Sequence, residues 1–141
     1  MAVEETSLRD RMIGILDALA ALYPARIVTR NLKDFDFRTP AELDAGIYTI
    51  VSKGEQGYKN YNGREAADGK HGILLVGQFK VAEAAEPELI EDQEFLMIVE
   101  IKAFLRALPG ELCCLVMNGF QQSMQTSHPY GFIACDLEIG E

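Results

Sequence analysis

His71-Gly72-Ile73-Leu74-Leu75-Val76-Gly77-Gln78-Phe79-Lys80-Val81 is the stretch whose reading decides the fold. Ile73 to Val76 is apolar at every position, so both faces of an extended chain would be apolar there. Phe79 and Val81 then continue in alternation with Gln78 and Lys80, the two-residue period of a strand. This predicts the strongest strand of the chain, and the remaining elements are placed relative to it.

Downstream of it, residues 83–88 are a polar connection, and Pro87 suits the first position of a helix. A long helix is expected over residues 88–107, ended by Pro109-Gly110. Glu88, Glu91 and Asp92 at its start and Lys102 and Arg106 near its end both oppose the helix dipole. Leu89, Leu96, Met97, Ile101, Phe104, Leu105 and Leu108 are read as its apolar side, and Glu91, Lys102 and Arg106 as its wet side. Residues 112–117 fit either a strand or a short helix. Residues 119–126 and 132–139 read as two strands joined around residues 127–131. In the second, Ile133, Cys135, Leu137 and Ile139 fall on one face and are expected to point inward.

Upstream, Leu8, Met12, Ile15, Leu16, Leu19 and Leu22 recur at helical steps. They predict a first helix over residues 8–23, capped by Thr6 or Ser7 and stopped by Pro24. Residues 26–30 form a short strand candidate. Thr39-Pro40-Ala41-Glu42 has the form of a capping box with proline at the first helical position, and Gly46 ends that turn. Residues 47–52 are β-branched and aromatic, hence a strand. Residues 53–70 hold Gly54, Gly57, Gly63 and Gly69 without periodicity. They fit a functional loop, or an extended hairpin with Asn62-Gly63 at its tip. The expected fold class is α+β: two main helices packed on a mostly antiparallel mixed sheet, in a single domain over residues 1–141.

The chain has 141 residues, 48% of them hydrophobic, which suffices for its own core. A net charge of −9 disfavours nucleic acid as a partner and suits solubility or a basic protein surface. The start of the chain is polar and acidic, without the pattern of a signal peptide, and no apolar run is long enough for a bilayer. No membrane partner is expected. Three cysteines, two of them adjacent, do not suggest a disulfide framework. A reducing cytoplasm follows.

Chemistry is sparse along the sequence. His71 opens a strand and His128 precedes Pro129 in a turn, and neither has a metal-ligand partner at sequence-local spacing. Both are read as ordinary strand-end or turn residues. Cys113-Cys114 lacks the redox spacing and is read as a buried apolar pair. The glycines of residues 53–70 match neither phosphate-binding motif. No catalytic residue, metal site or cofactor is expected. Tyr58, Lys59, Tyr61 and Arg64 in that stretch are read as protein-contact residues, since aromatic and Arg side chains dominate interfaces. The alternative for the stretch is a solvated hairpin without a partner.

The order helix, strands, apolar strand, long helix, strand pair, with segments such as Ala45-Gly46-Ile47-Tyr48-Thr49-Ile50, resembles the phage tail terminator family, the lambda minor tail protein U group. The resemblance spans nearly all of the chain and rests on element order, with no signature motif. It implies a structural assembly protein with no enzymatic activity, found in the virion tail and, during assembly, in the host cytoplasm. The implied partners are other copies in a hexameric ring, the major tail tube protein and a head completion protein. The ring would stop tube polymerisation and prepare the tube for head joining. Other neck or connector proteins, a small ligand-binding domain or enzyme, and an adaptor are the rival readings. In dilute solution a monomer or weak equilibrium is expected, because −9 per copy is repulsive and is screened by salt.

Overall fold

The computed structural model describes residues 3–57, 60–61, 64–65, 69–112 and 114–139. The 73–76 run lies in β5 (Lys70–Lys80), the central strand of a five-stranded sheet. It pairs antiparallel with β2 (Ile47–Gln56) on one side and with β7 (Tyr130–Ile139) on the other. β1 (Ile27–Thr29) adds to β2 in parallel, and β6 (Val116–Gln122) adds antiparallel to β7. The order is therefore β1-β2-β5-β7-β6, a mixed and mostly antiparallel sheet. Two long helices, α1 (Val3–Leu22) and α3 (Pro87–Arg106), share one core with its inner face. The α+β expectation holds.

Alternation decides what each strand offers the core. Tyr48, Ile50, Ile73, Leu75, Ile133, Cys135 and Leu137 all point to the helices and are essentially solvent-free. Met12, Ile15 and Leu19 from α1 and Ile90, Met97, Ile101 and Phe104 from α3 close over them. Each such aliphatic or aromatic side chain contributes roughly 1.5–3 kcal/mol by leaving water. The inward set on β7 is the one its sequence pattern indicates.

The link from β1 to β2 must cross the sheet, because the two strands run parallel. It does so on the face opposite the long helices. A 3-10 turn (Phe35–Phe37) and the short α2 (Pro40–Ala45) form this crossover. Arg38 donates to Thr49 Oγ1 and Gln78 Nε2 donates to the Lys33 carbonyl, fastening it to the outer face. The capping box at α2 is complete: Glu42 N donates to Thr39 Oγ1 at 3.2 Å, and Thr39 N donates to Glu42 Oε1 at 2.9 Å. Gly46 ends the helix at φ +83°, where any Cβ would run into the Arg26 guanidinium.

Several boundaries and faces differ from the sequence reading. α1 is already helical at Val3, so Thr6 and Ser7 lie inside it instead of capping it. Leu22, expected on its buried face, is 42% exposed. Residues 110–112 form a 3-10 turn and β6 starts at Val116, which resolves the ambiguous 112–117 stretch into turn then strand. β6 ends at Gln122, and residues 124–129 are turns, because Met124 and Gln125 take the left-handed conformation at φ 58° and 60°. The described residues of the 53–70 stretch include two antiparallel strand pairs. β2 and β5 stay paired out to Gln56↔Lys70, past a bulge between Ser52 and Gly54. Beyond them β3 (Asn60–Tyr61) pairs with β4 (Arg64–Glu65), so Asn62-Gly63 connects the two in sequence.

Packing inside the core is tight at Gly131, opposite Phe79. A Cβ there would meet the Phe79 ring, and Ile90 Cγ2 at 2.7 Å. Gly131→Ala is expected to destabilise the protein by about 2 kcal/mol through overpacking, read as a lower urea midpoint. Gly119→Ala, with open space around its Cβ, should leave the midpoint nearly unchanged.

Candidate functional site

α3 is apolar on more than one side, and a buried carboxylate settles which side faces the sheet. Glu94 is 1% exposed. Its Oε2 accepts from the Ser123 hydroxyl, from Ser123 N at 3.3 Å and from Phe132 N at 3.3 Å. Its Oε1 accepts from Gln122 Nε2 at 3.2 Å. A buried carboxylate is tolerated only with such a shell of donors. This pins α3 to the β6–β7 hairpin. Two turns further on, Glu100 receives Arg26 through Nε at 3.1 Å and Nη2 at 2.8 Å, and the Tyr48 hydroxyl at 2.8 Å. The hydrogen bond to Glu100 raises the Arg26 pKa, and burial followed by Glu100 raises that of Tyr48.

With those contacts fixed, Ile90, Met97, Ile98, Ile101 and Phe104 are inside, and Leu89, Phe95, Leu96 and Val99 are turned to solvent. The sequence reading had assigned Leu89 and Leu96 to the inner face. The structure corrects this, because Glu94 takes a core position that a polarity pattern leaves outside. The outward side chains are large: Phe95 is 46% and Val99 61% exposed. Phe120 of β6 continues the surface, with Lys102 Nζ 6.0 Å above its ring. β6 is also an edge strand, and none of its seven residues is charged or proline. Such an edge is open to pairing with another chain. Met124, 79% exposed, sits on the adjoining left-handed turn, held by Thr126 Oγ1 donating to the Ser123 carbonyl at 2.6 Å.

Of the sequence-derived contact residues, two fall on described strands of the hairpin arm. Tyr61 and Arg64 are cross-strand partners in β3 and β4, and Tyr58 and Lys59 lie outside the described residues. The α3 and β6 surface was not singled out by sequence. Its signal was present in the all-round apolar character of residues 95–99.

The outer face of the sheet is half bare beyond the crossover. A shallow groove of about 410 Å³ lies there, floored by Leu74 and Ala134 and walled by Gln121. Lys53 Nζ and Asp136 Oδ1 pair across it at 2.7 Å, each nearly half exposed. Such a pair contributes about 0–1 kcal/mol. It neutralises the two charged groups of the groove against each other.

His71 is not a surface residue: it is 1% exposed at the root of the arm. Nδ1 lies 3.3 Å from Arg11 Nη1, and Nε2 lies 2.7 Å from Ser52 Oγ. Arg11 can only donate, so Nδ1 accepts and Nε2 carries the proton toward Ser52. That tautomer cannot take a proton from the serine, so the pair lacks the arrangement of a serine nucleophile with its base. Burial, then the Arg11 charge, lowers the His71 pKa against an opposing pull from Glu55. Cys135 is buried, its thiol pushed up to about 12. Cys114 is exposed, which corrects the expectation of a buried pair, and Cys113 lies outside the described residues. Among the described residues no group of three or more His, Cys, Asp or Glu could hold a metal ion, and no helix is long and apolar enough to cross a membrane.

No protein-family model matches the chain, and no curated protein matches it either.

Two tests follow from the polar nodes. Glu94→Ala strands the Ser123 and Phe132 donors in the interior and should cost about 3 kcal/mol. Hydrogen exchange should show protection lost first in β6 and β7. For His71, the folded pKa lies below the ordinary 6.5, so the unfolded chain binds the proton first as pH falls. Its contribution is therefore complete above pH 6.5 and is lost below that value, down to the folded pKa. The urea midpoint of the wild type should fall more steeply between pH 7 and 5 than that of His71→Gln. Parallel profiles would remove the linkage.

Proposed function

We propose that this chain is a structural assembly protein that caps a phage tail tube in the manner of the tail terminators it resembles. It would stop tube growth and offer the finished end for head joining, as a ring of copies, hexameric by the resemblance. The observation that supports the reading is the placement of exposed apolar side chains on opposite sides of one scaffold. Phe95, Val99 and Phe120 lie on the helical side, and Leu32 and Phe37 lie on the crossover that covers the outer face. A subunit with two different sticky sides adds head to tail, and such contacts close into rings when the rotation permits. The 53–70 stretch, with Tyr58, Lys59, Tyr61 and Arg64, is assigned the contact to tube subunits or to a ring neighbour.

A second reading is favoured by the uncharged β6 edge: an adaptor that takes one extended strand from a partner. The two differ in stoichiometry, since an adaptor forms a one-to-one complex and a terminator forms a ring on the tube end.

Purified protein added to polymerising tube subunits should yield shorter tubes of narrow length distribution, each with an extra ring at one end by negative-stain microscopy. Unchanged tube lengths would sink the terminator reading. Replacing residues 58–68 by a two-residue turn should keep the Gln56↔Lys70 pairing and the fold but abolish capping. Normal capping by that variant would remove the arm from the contact surface.

A further inference from the structure

We propose that the outward stripe of α3 docks the crossover segment of a second copy of this chain, with Phe95, Val99, Lys102 and Arg106 on one side and Leu32, Asp34, Asp36 and Phe37 on the other. The inference takes its direction from the head-to-tail reading above and names the surfaces that would meet.

Phe95, Val99, Lys102 and Arg106 follow one another at steps of four, three and four, so they form one stripe along the helix. Glu91 and Asp92 begin the same side. Read along α3, the stripe is acidic, then apolar, then basic. Nothing in the subunit's own core uses it, because the opposite side of α3 fills that core. The Phe120 ring beneath Lys102 extends it to the β6 edge.

The crossover carries acidic and apolar groups side by side. Lys33, Asp34 and Asp36 are exposed between two apolar tips, Leu32 at 50% and Phe37 at 73% exposure. Its backbone is held in advance: Gln78 Nε2 donates to the Lys33 carbonyl at 2.9 Å, and Arg38 Nη2 donates to the Asn31 carbonyl at 2.7 Å. The Phe35 ring is stacked on Tyr130 with centroids 4.8 Å apart. A preorganised segment loses little freedom on binding. Asp34 and Asp36 match Lys102 and Arg106, and the adjoining apolar tip Phe37 meets Val99 and Phe95.

Charge selects this contact over a random one. Two copies at −9 each repel at most approaches. The basic end of the α3 stripe offers an acidic segment local attraction, and the chain carries such a segment on its other side. Because the two surfaces lie on opposite faces, each docked copy still presents one of each.

Sedimentation velocity over a concentration series tests the contact. Lys102→Glu with Arg106→Glu, and separately Asp34→Lys with Asp36→Lys, should each weaken wild-type self-association by about tenfold or more. All four positions are exposed, so urea midpoints should stay close to wild type. An equimolar mixture of the two variants restores opposite charges at every contact and should recover association. Variants that associate as wild type does, a mixture that fails to recover, or a wild type that stays monomeric throughout would each overturn the proposal. Tube capping reads the other proposal separately. Capping that survives with association unaffected sinks this contact alone, and charge-swap recovery in a protein that never shortens tubes sinks capping alone.

Discussion

The Glu94 carboxylate is the contact on which the arrangement of the helical layer depends. A helix with apolar residues at 89, 90 and 95–99 could present several sides to a sheet at similar gain in burial. Four donors converging on one buried carboxylate remove that freedom, because any other rotation strands the Ser123 and Phe132 donors without a partner in the interior. The choice has two consequences. Met97, Ile101 and Phe104 fill the core, and Phe95 and Val99 are left in water. Glu100 repeats the device at the other end of the sheet, where Arg26 and Tyr48 converge on it. α3 is thus clamped by one acid to the β6–β7 hairpin and by another to the start of β1 and β2.

Much of the fold was legible in the sequence wherever the signal was local. β5 and β7 followed from alternation, and α2 followed from Thr39, Pro40, Glu42 and Gly46, whose roles are set by chemistry within one turn. The phase of α3 was not legible, since an acidic residue scores as solvent-facing and the donors to Glu94 come from residues 28 to 38 positions away. His71 misled for the same reason: Arg11 and Ser52 lie 60 and 19 residues from it. Left-handed Met124 and Gln125 carry no glycine or asparagine to announce the turn that ends β6.

The candidate site divides along the same line. Aromatic and basic residues in a glycine-rich stretch drew attention to the arm, whose described residues are mostly paired strands. The apolar surface on α3 became visible only once the inner side of the helix was known. An exposed phenylalanine and an inward glutamate on one helix are a single fact seen from two sides. Burial of the acid is what displaces the aromatic.

The sheet order has a bearing on biosynthesis. β7 follows every other described strand in the chain, yet it occupies an interior place between β5 and β6. A ribosome that has released only the residues up to 129 has exposed β5 with one edge open and β6 with no partner. Neither can be satisfied by local pairing, because β5 and β6 are not neighbours in the finished sheet. Glu94 also lacks its Phe132 donor at that stage. Domains form as units once their distant pairings can close, and here closure waits for residues 130–139. Incomplete chains therefore lack the scaffold that turns Phe95 and Val99 outward, and the outer side of α3 takes its place only with the completed core.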